Sequence, residues 1–198
     1  MDKFIVGLTG GIASGKTVVS DHLKSRGLTI IDADEVSREI TADGGLAEEL
    51  LKKEFPQAYA SGTLNRAILR SEVFASDEKL AKLNAITHPI IHDEIVKRIA
   101  LAPTQPVVLV VPLLFETGYD KECDYIVTVT ANENTRIKRI VNRNNSITDG
   151  VAKSMINAQT SDSERVAKSH EVIVNDGELA DLIKKADALY NKIKSFAK

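Results

Sequence analysis

The chain is notable first for what it lacks. It has a single cysteine, Cys123, so no internal disulfide is possible, and no Cys/His pattern has the spacing of a zinc site. Its N-terminus, "MDKFIVGLTGG", lacks the apolar stretch and small-residue cleavage site of a signal peptide. The longest apolar run, "VVLVV" with its neighbours, is far too short to span a bilayer. A reducing cytoplasmic setting is therefore the expectation. The formal net charge is −2, which supplies no global field for nucleic acid or anionic membrane. Neither partner is expected, nor is an obligate protein partner, and any phosphate binding has to be local. Internal repeats and low-complexity segments are also missing.

What is present fits an ordinary globular chain. At 198 residues, with 43% hydrophobic and 27% charged content, it accommodates one domain or one domain with an insertion. Chains of this length bury roughly 70% of their unfolded surface. Four β-branched runs, "FIVGL" (4–8), "LTII" (28–31), "VVLVV" (107–111) and "YIVTV" (125–129), read as strands, with a weaker fifth in "EVIV" (171–174). Runs without polar alternation suit a parallel sheet covered on both faces. Helical patterns at 16–26, 132–143 and 178–196 alternate with them, which predicts a doubly wound α/β fold with a five-stranded parallel sheet flanked by helices. About 75 residues separate the second and third strands, where a crossover needs only a dozen or so. "LAEELLKKEF" (46–55), "NRAILRSEVF" (65–74), "DEKLAKLNAI" (77–86) and "PIIHDEIVKRIALA" (89–102) fill this gap with helical periodicity. Breaks are predicted at Gly44-Gly45, Gly62 and His88-Pro89. The gap therefore reads as an all-helical insertion. A second helical region is expected at 148–168.

Chemistry enters with "GLTGGIASGKTVV". Gly10, four residues, then Gly15-Lys16-Thr17 follow a predicted strand and open a predicted helix, the context of a phosphate-binding P-loop. Inward backbone N–H groups and the helix N-terminus hold polyphosphate without global basicity. Lys16 would reach the β- and γ-phosphates, and the Thr17 hydroxyl would ligate Mg²⁺. GTPases, motor ATPases and kinases all share this loop. The guanine-reading Asn-Lys-x-Asp is absent, and "VVLVV" runs into Pro112-Leu113-Leu114 rather than a Mg²⁺-binding aspartate; the next carboxylate is Glu116. Both absences weigh against a hydrolytic switch or motor.

Carboxylates appear instead in "IIDADEVSRE", where Asp32 and Asp34 lie between a strand end and a helix expected from about residue 35. The carboxyl ends of strands face the ligand crevice in open α/β sheets. Either residue could cap the helix; a carboxylate near the γ-phosphate could also orient a hydroxyl and accept its proton. In "TRIKRIVNR", Arg136, Arg139 and Arg143 share one helix face, while Lys138 reads as solvated. Guanidinium forks there would stabilise a transferring phosphoryl group, and 141–168 reads as a lid that excludes water.

"GLTGGIASGKT", "IIDADEVSRE", "GTLNRAILRSEVF", "LNAITHPIIHDEI", "VVPLLFETG", "RIKRIVNR" and "VIVNDG", in this order, resemble the dephospho-CoA kinase family over about residues 5–177. The resemblance implies a P-loop kinase of the nucleotide-kinase-like type that phosphorylates the ribose 3′-hydroxyl of dephospho-CoA with ATP and Mg²⁺. Another P-loop nucleoside or nucleotide kinase is the alternative. It also implies a core of 1–34, 103–140 and 169–198, a CoA-substrate insertion at 35–102 and a lid at 141–168. Carried over by position, the nucleotide loop comprises Gly10, Gly11, Ala13, Ser14, Gly15, Lys16, Thr17 and Val18, with Arg143 as a further ATP contact. Asp34 falls on the catalytic aspartate and Arg139 on a lid-side arginine facing the phosphates, so Asp34, Lys16 and Arg139 form the expected catalytic set. Asp32, His88, Leu113 and Glu116 join Asp34 as substrate-side candidates. His88 could instead only fix a turn, and Glu116 could instead start a helix. Three positions depart from the family pattern. Asn144 replaces an acidic residue, Ser169-His170 stands where Ala-Asp is typical, and Ala13 replaces a frequent glycine, which should stiffen the loop.

Overall fold

β-branched runs with no polar alternation need cover on both faces, and the computed structural model, which describes residues 3–196, provides it. Five strands, β1 (Ile5–Thr9), β2 (Thr29–Asp32), β3 (Val107–Val110), β4 (Tyr125–Thr130) and β5 (Glu171–Val174), form one sheet in the order β2-β3-β1-β4-β5. β1 is central, pairing in parallel with β3 (Val6 opposite Val108) and with β4 (Val6 opposite Tyr125), and β4 pairs in parallel with β5. The α-helices are α1 (Lys16–Ser25), α2 (Ala33–Ile40), α3 (Glu48–Glu54), α4 (Arg66–Phe74), α5 (Asp77–Leu101), α6 (Glu133–Arg143), α7 (Asp149–Asn157), α8 (Asp162–Ala167) and α9 (Leu179–Lys194), and two short 3-10 helices, Pro56–Tyr59 and Tyr119–Glu122, complete the described elements.

The chain divides into two compact units, Met1–Ile30 with Ala102–Lys198, and Ile31–Leu101. In the first, Val6 and Leu8 of β1, Val108 and Val110 of β3, and Val127 and Val129 of β4 present one sheet face. Val19 and Leu23 of α1 and Leu182, Leu189 and Ile193 of α9 cover it. On β1, a side chain at Gly7 would meet the Cys123 Sγ at 2.7 Å. Burial, with the charges of Glu122, Asp120 and Asp124, pushes the Cys123 thiol up to about 12. Among the described residues no helix is long and apolar enough to cross a membrane.

The second unit is helical, as the sequence predicts, with one correction. The break expected at His88-Pro89 does not occur: α5 runs unbroken through both residues from Asp77 to Leu101. Proline removes the N–H that would bond the Ala85 carbonyl. Ala85 and Pro89 are both exposed, so the orphaned carbonyl lies on the solvent side, where water can take the missing donor's place. Ile95 and Ile99, both buried, anchor the other face. His88 thus lies within a helix rather than at its end. The region expected to be helical at 148–168 is two helices, α7 and α8, separated by residues 158–161.

Candidate active site

The glycine loop joins the end of central strand β1 to the start of α1. Gly15 caps α1 with φ 103°, a left-handed conformation that favours glycine. Ala13 adopts φ 60°, the one non-glycine residue with positive φ among those described. An L-residue held there costs on the order of 1–2 kcal/mol, and the cost is met by bonds from outside the loop. The Arg136 Nε donates to the Ile12 carbonyl at 2.8 Å, and the Arg139 Nη1 donates to the Ala13 carbonyl at 3.3 Å. The Asn175 Nδ2 donates to the Ser14 carbonyl at 2.7 Å, and the Gln159 Oε1 accepts from the Ile12 N–H at 2.8 Å. Thr17, in the first turn of α1, is exposed.

The three arginines of α6 sit in different environments despite their shared face. Arg136 is 3% exposed and also bonds Asp162 at 3.0 Å, so it is part of the scaffold beneath the loop. Arg139 is half-buried, and its Nη2 donates to the Asn175 carbonyl at 3.0 Å and to the Asn175 Oδ1 at 3.3 Å. Arg143 is exposed. Arg139 and Arg143 line a cavity of about 190 Å³ with Ala13, Gly15, Val18 and Asn175. Lys138 is exposed, as expected.

The α7–α8 segment is docked on the loop's scaffold. Besides Gln159, Asp162 accepts from Thr130 at 2.6 Å and from the fully buried Arg165 at 3.1 Å. Glu116 lies in a run of turns, where no helix begins, and accepts from the Thr160 hydroxyl and, at 3.3 Å, from its N–H. Burial alone would raise the Glu116 carboxyl. The Thr160 bonds, its own backbone and the Arg165 charge outweigh that and hold it below the ordinary glutamate value. Leu113 is 42% exposed in the same run of turns.

In the helical unit, α2 begins at Ala33 rather than near residue 35 because Asp32 is its N-cap. The Asp32 Oδ1 accepts from the N–H groups of Asp34 at 2.8 Å and Glu35 at 3.4 Å. Asp34, the second residue of α2, is exposed, and its carbonyl accepts from the Arg38 Nε at 3.1 Å. The Asp32 carboxylate is thus engaged in the cap of α2. His88 is exposed on α5. His170 uses Nδ1 to accept from the Ile126 N–H at 2.9 Å, a bond that joins the start of β4 to the residue before β5.

Three polar anchors, Gln159, Arg165 and Asn175, have no assigned role in the sequence reading. Only Asn175 carried a positional signal, since it ends a strand on the side where α/β sheets bind ligands.

The central strand, the glycine loop opening α1 and the parallel sheet define the protein as a P-loop nucleotide-binding protein in class. Residues 4–181 match the family model for dephospho-CoA kinase, and the chain belongs to that family. A dephospho-CoA kinase of Dechloromonas aromatica is 39% identical over 193 residues, covering 96% of this chain and 93% of the relative. A solved protein of Thermus thermophilus is 29% identical, with a TM-score of 0.83 over 98% of this chain and 99% of the other. A dephospho-CoA kinase structure from Campylobacter jejuni shares the fold at TM-score 0.71 and 22% identity, covering 98% of both chains.

Proposed function

We propose that the protein transfers the γ-phosphoryl group of ATP to the ribose 3′-hydroxyl of dephospho-CoA, giving coenzyme A and ADP, the final step of coenzyme A biosynthesis. The observation that carries this reading is the near-full-length family match together with the glycine loop at the end of β1. The loop's inward N–H groups and Lys16 hold the triphosphate. Asp34 orients the acceptor hydroxyl and takes its proton, a role supported by its place just beyond β2 and its exposure. Arg139 and Arg143, beside the small cavity, contact the nucleotide, with Arg139 neutralising charge on the phosphates.

The exposed Thr17 hydroxyl at the head of α1 fits a Mg²⁺ held mainly by nucleotide phosphates and water, which needs few protein ligands. Among the described residues no cluster of three or more His, Cys, Asp or Glu has metal-holding geometry. When bound, Mg²⁺ would neutralise charge on the β- and γ-phosphates. In the same reading, Ile31–Leu101 receives the acceptor, with His88 as a candidate contact. Leu113 and Glu116 are further candidate substrate contacts, and residues 141–168 act as the lid. A cytoplasmic setting belongs to the proposal.

The test is a dephospho-CoA titration followed by ADP release, with coenzyme A identified as the product. Adenosine, AMP and shikimate serve as competing acceptors. Dephospho-CoA should exceed each of them in kcat/KM by about 10⁴-fold or more, the scale on which a site that hydrogen-bonds its substrate rejects analogues lacking those groups. Preference for one of the others would establish a different nucleoside or metabolite kinase.

A further inference from the structure

Consecutive carbonyls of the phosphate loop are each held from outside. Ile12, Ala13 and Ser14 give their oxygens to Arg136, Arg139 and Asn175 respectively. In a planar trans peptide the C=O and the following N–H point in opposite directions. An outward carbonyl at Ser14 therefore turns the Gly15 N–H inward, towards the position of a phosphate. The Ser14 N–H closes a turn onto the Gly11 carbonyl at 3.1 Å. The peptide joining Ser14 to Gly15 is thus the one whose direction Asn175 decides.

Asn175 is 5% exposed, and every polar group on it is engaged. Its N–H donates to the Thr130 carbonyl at 2.7 Å, extending the β4–β5 ladder by one residue and fixing the position of the main chain. Its Oδ1 faces a donor, the Arg139 Nη2, and its Nδ2 faces an acceptor, the Ser14 carbonyl. Flipping the amide would set donor against donor and acceptor against acceptor, so the network permits one orientation. Aspartate lacks the donor, and leucine lacks both groups. A side chain at Gly15 would collide with the Asn175 Nδ2, so the glycine also makes room for the amide.

We propose that Asn175 is a positioning residue for phosphoryl transfer: it directs the Ser14–Gly15 peptide so that the Gly15 N–H faces the nucleotide phosphates, and it aligns Arg139 with the same loop. The inference rests on residues 10–17 being the phosphate site of ATP. Its test is calorimetric titration of the full chain with Mg-ADP and, separately, with inorganic tripolyphosphate, in wild type and in Asn175→Leu. Both ligands should weaken about tenfold, by the same factor, in line with the loss of the order of one directed hydrogen bond. The KM for the acceptor should stay within about twofold. Weakening of ADP alone would make Asn175 a contact to the base and overturn the inference. Unchanged binding of both ligands would do the same, as would an acceptor KM that rises in step. If the leucine variant does not fold, Asn175→Ala is read by the same criteria. A wild-type protein that binds neither ligand would refute the phosphate-site reading itself, before any variant is made.

Discussion

Replacing Lys16 by alanine should lower kcat by about 10²–10³-fold, the usual loss when one preorganised donor to transition-state charge is removed. Lys16 is the first residue of α1, directly after the left-handed Gly15, the position from which the proposed reading has its ammonium reach the β- and γ-phosphates. Alanine has the highest helix propensity, so α1 should keep its first turn and the protein its thermal midpoint. Arginine should not restore activity, because a planar fork does not reproduce a compact ammonium charge. Steady-state ADP release and a thermal melt decide the matter. Turnover above about a tenth of wild type would exclude Lys16 from the charge-stabilising role.

Asp34→Asn should reduce turnover by about 10²-fold or more, the range of general-base catalysis, while ATP affinity stays near normal. The substitution leaves the start of α2 intact, because the cap is the Asp32 Oδ1 rather than Asp34. Asp32→Asn is the matched control: asparagine caps as well as aspartate, so both stability and turnover should stay close to wild type. Full activity in Asp34→Asn would sink its assignment as base, and a large loss in Asp32→Asn would move that assignment to Asp32.

The sequence made the sheet legible because its strands are unbroken β-branched runs, and their observed bounds lie within one residue of the expected ones. The glycine loop was equally plain, although its glycines answer to more than phosphate. Side chains at Gly10, Gly11 and Gly15 would meet the Val129 carbonyl, the Arg136 guanidinium and the Asn175 amide. Those neighbours are distant in sequence: Asn175 and Ser14 are 161 residues apart, and Gln159 and Ile12 are 147 apart. No local periodicity encodes such pairs. The same gap explains Arg136, whose spacing placed it with Arg139 and Arg143 but could not reveal its burial against Asp162. Pro89 misled for a different reason. A proline's effect on a helix depends on whether the freed carbonyl meets water, and the exposure of Ala85 is a tertiary fact.

Asp34 also has a mechanical setting. Its helix, α2, is strutted at Glu39 by Arg98 of α5, which also bonds Glu94 at 2.9 Å. At the same C-terminal end of α2, the Arg66 Nη2 donates to the Arg38 carbonyl at 3.1 Å and the Thr41 hydroxyl at 3.0 Å. α5, with 25 residues, is a beam about 37 Å long. The helix that carries the carboxylate is therefore braced at the end remote from Asp34. Slackening the strut at Arg98 would free the remote end of α2, and any effect reaching Asp34 would be one of aim, with its chemistry untouched.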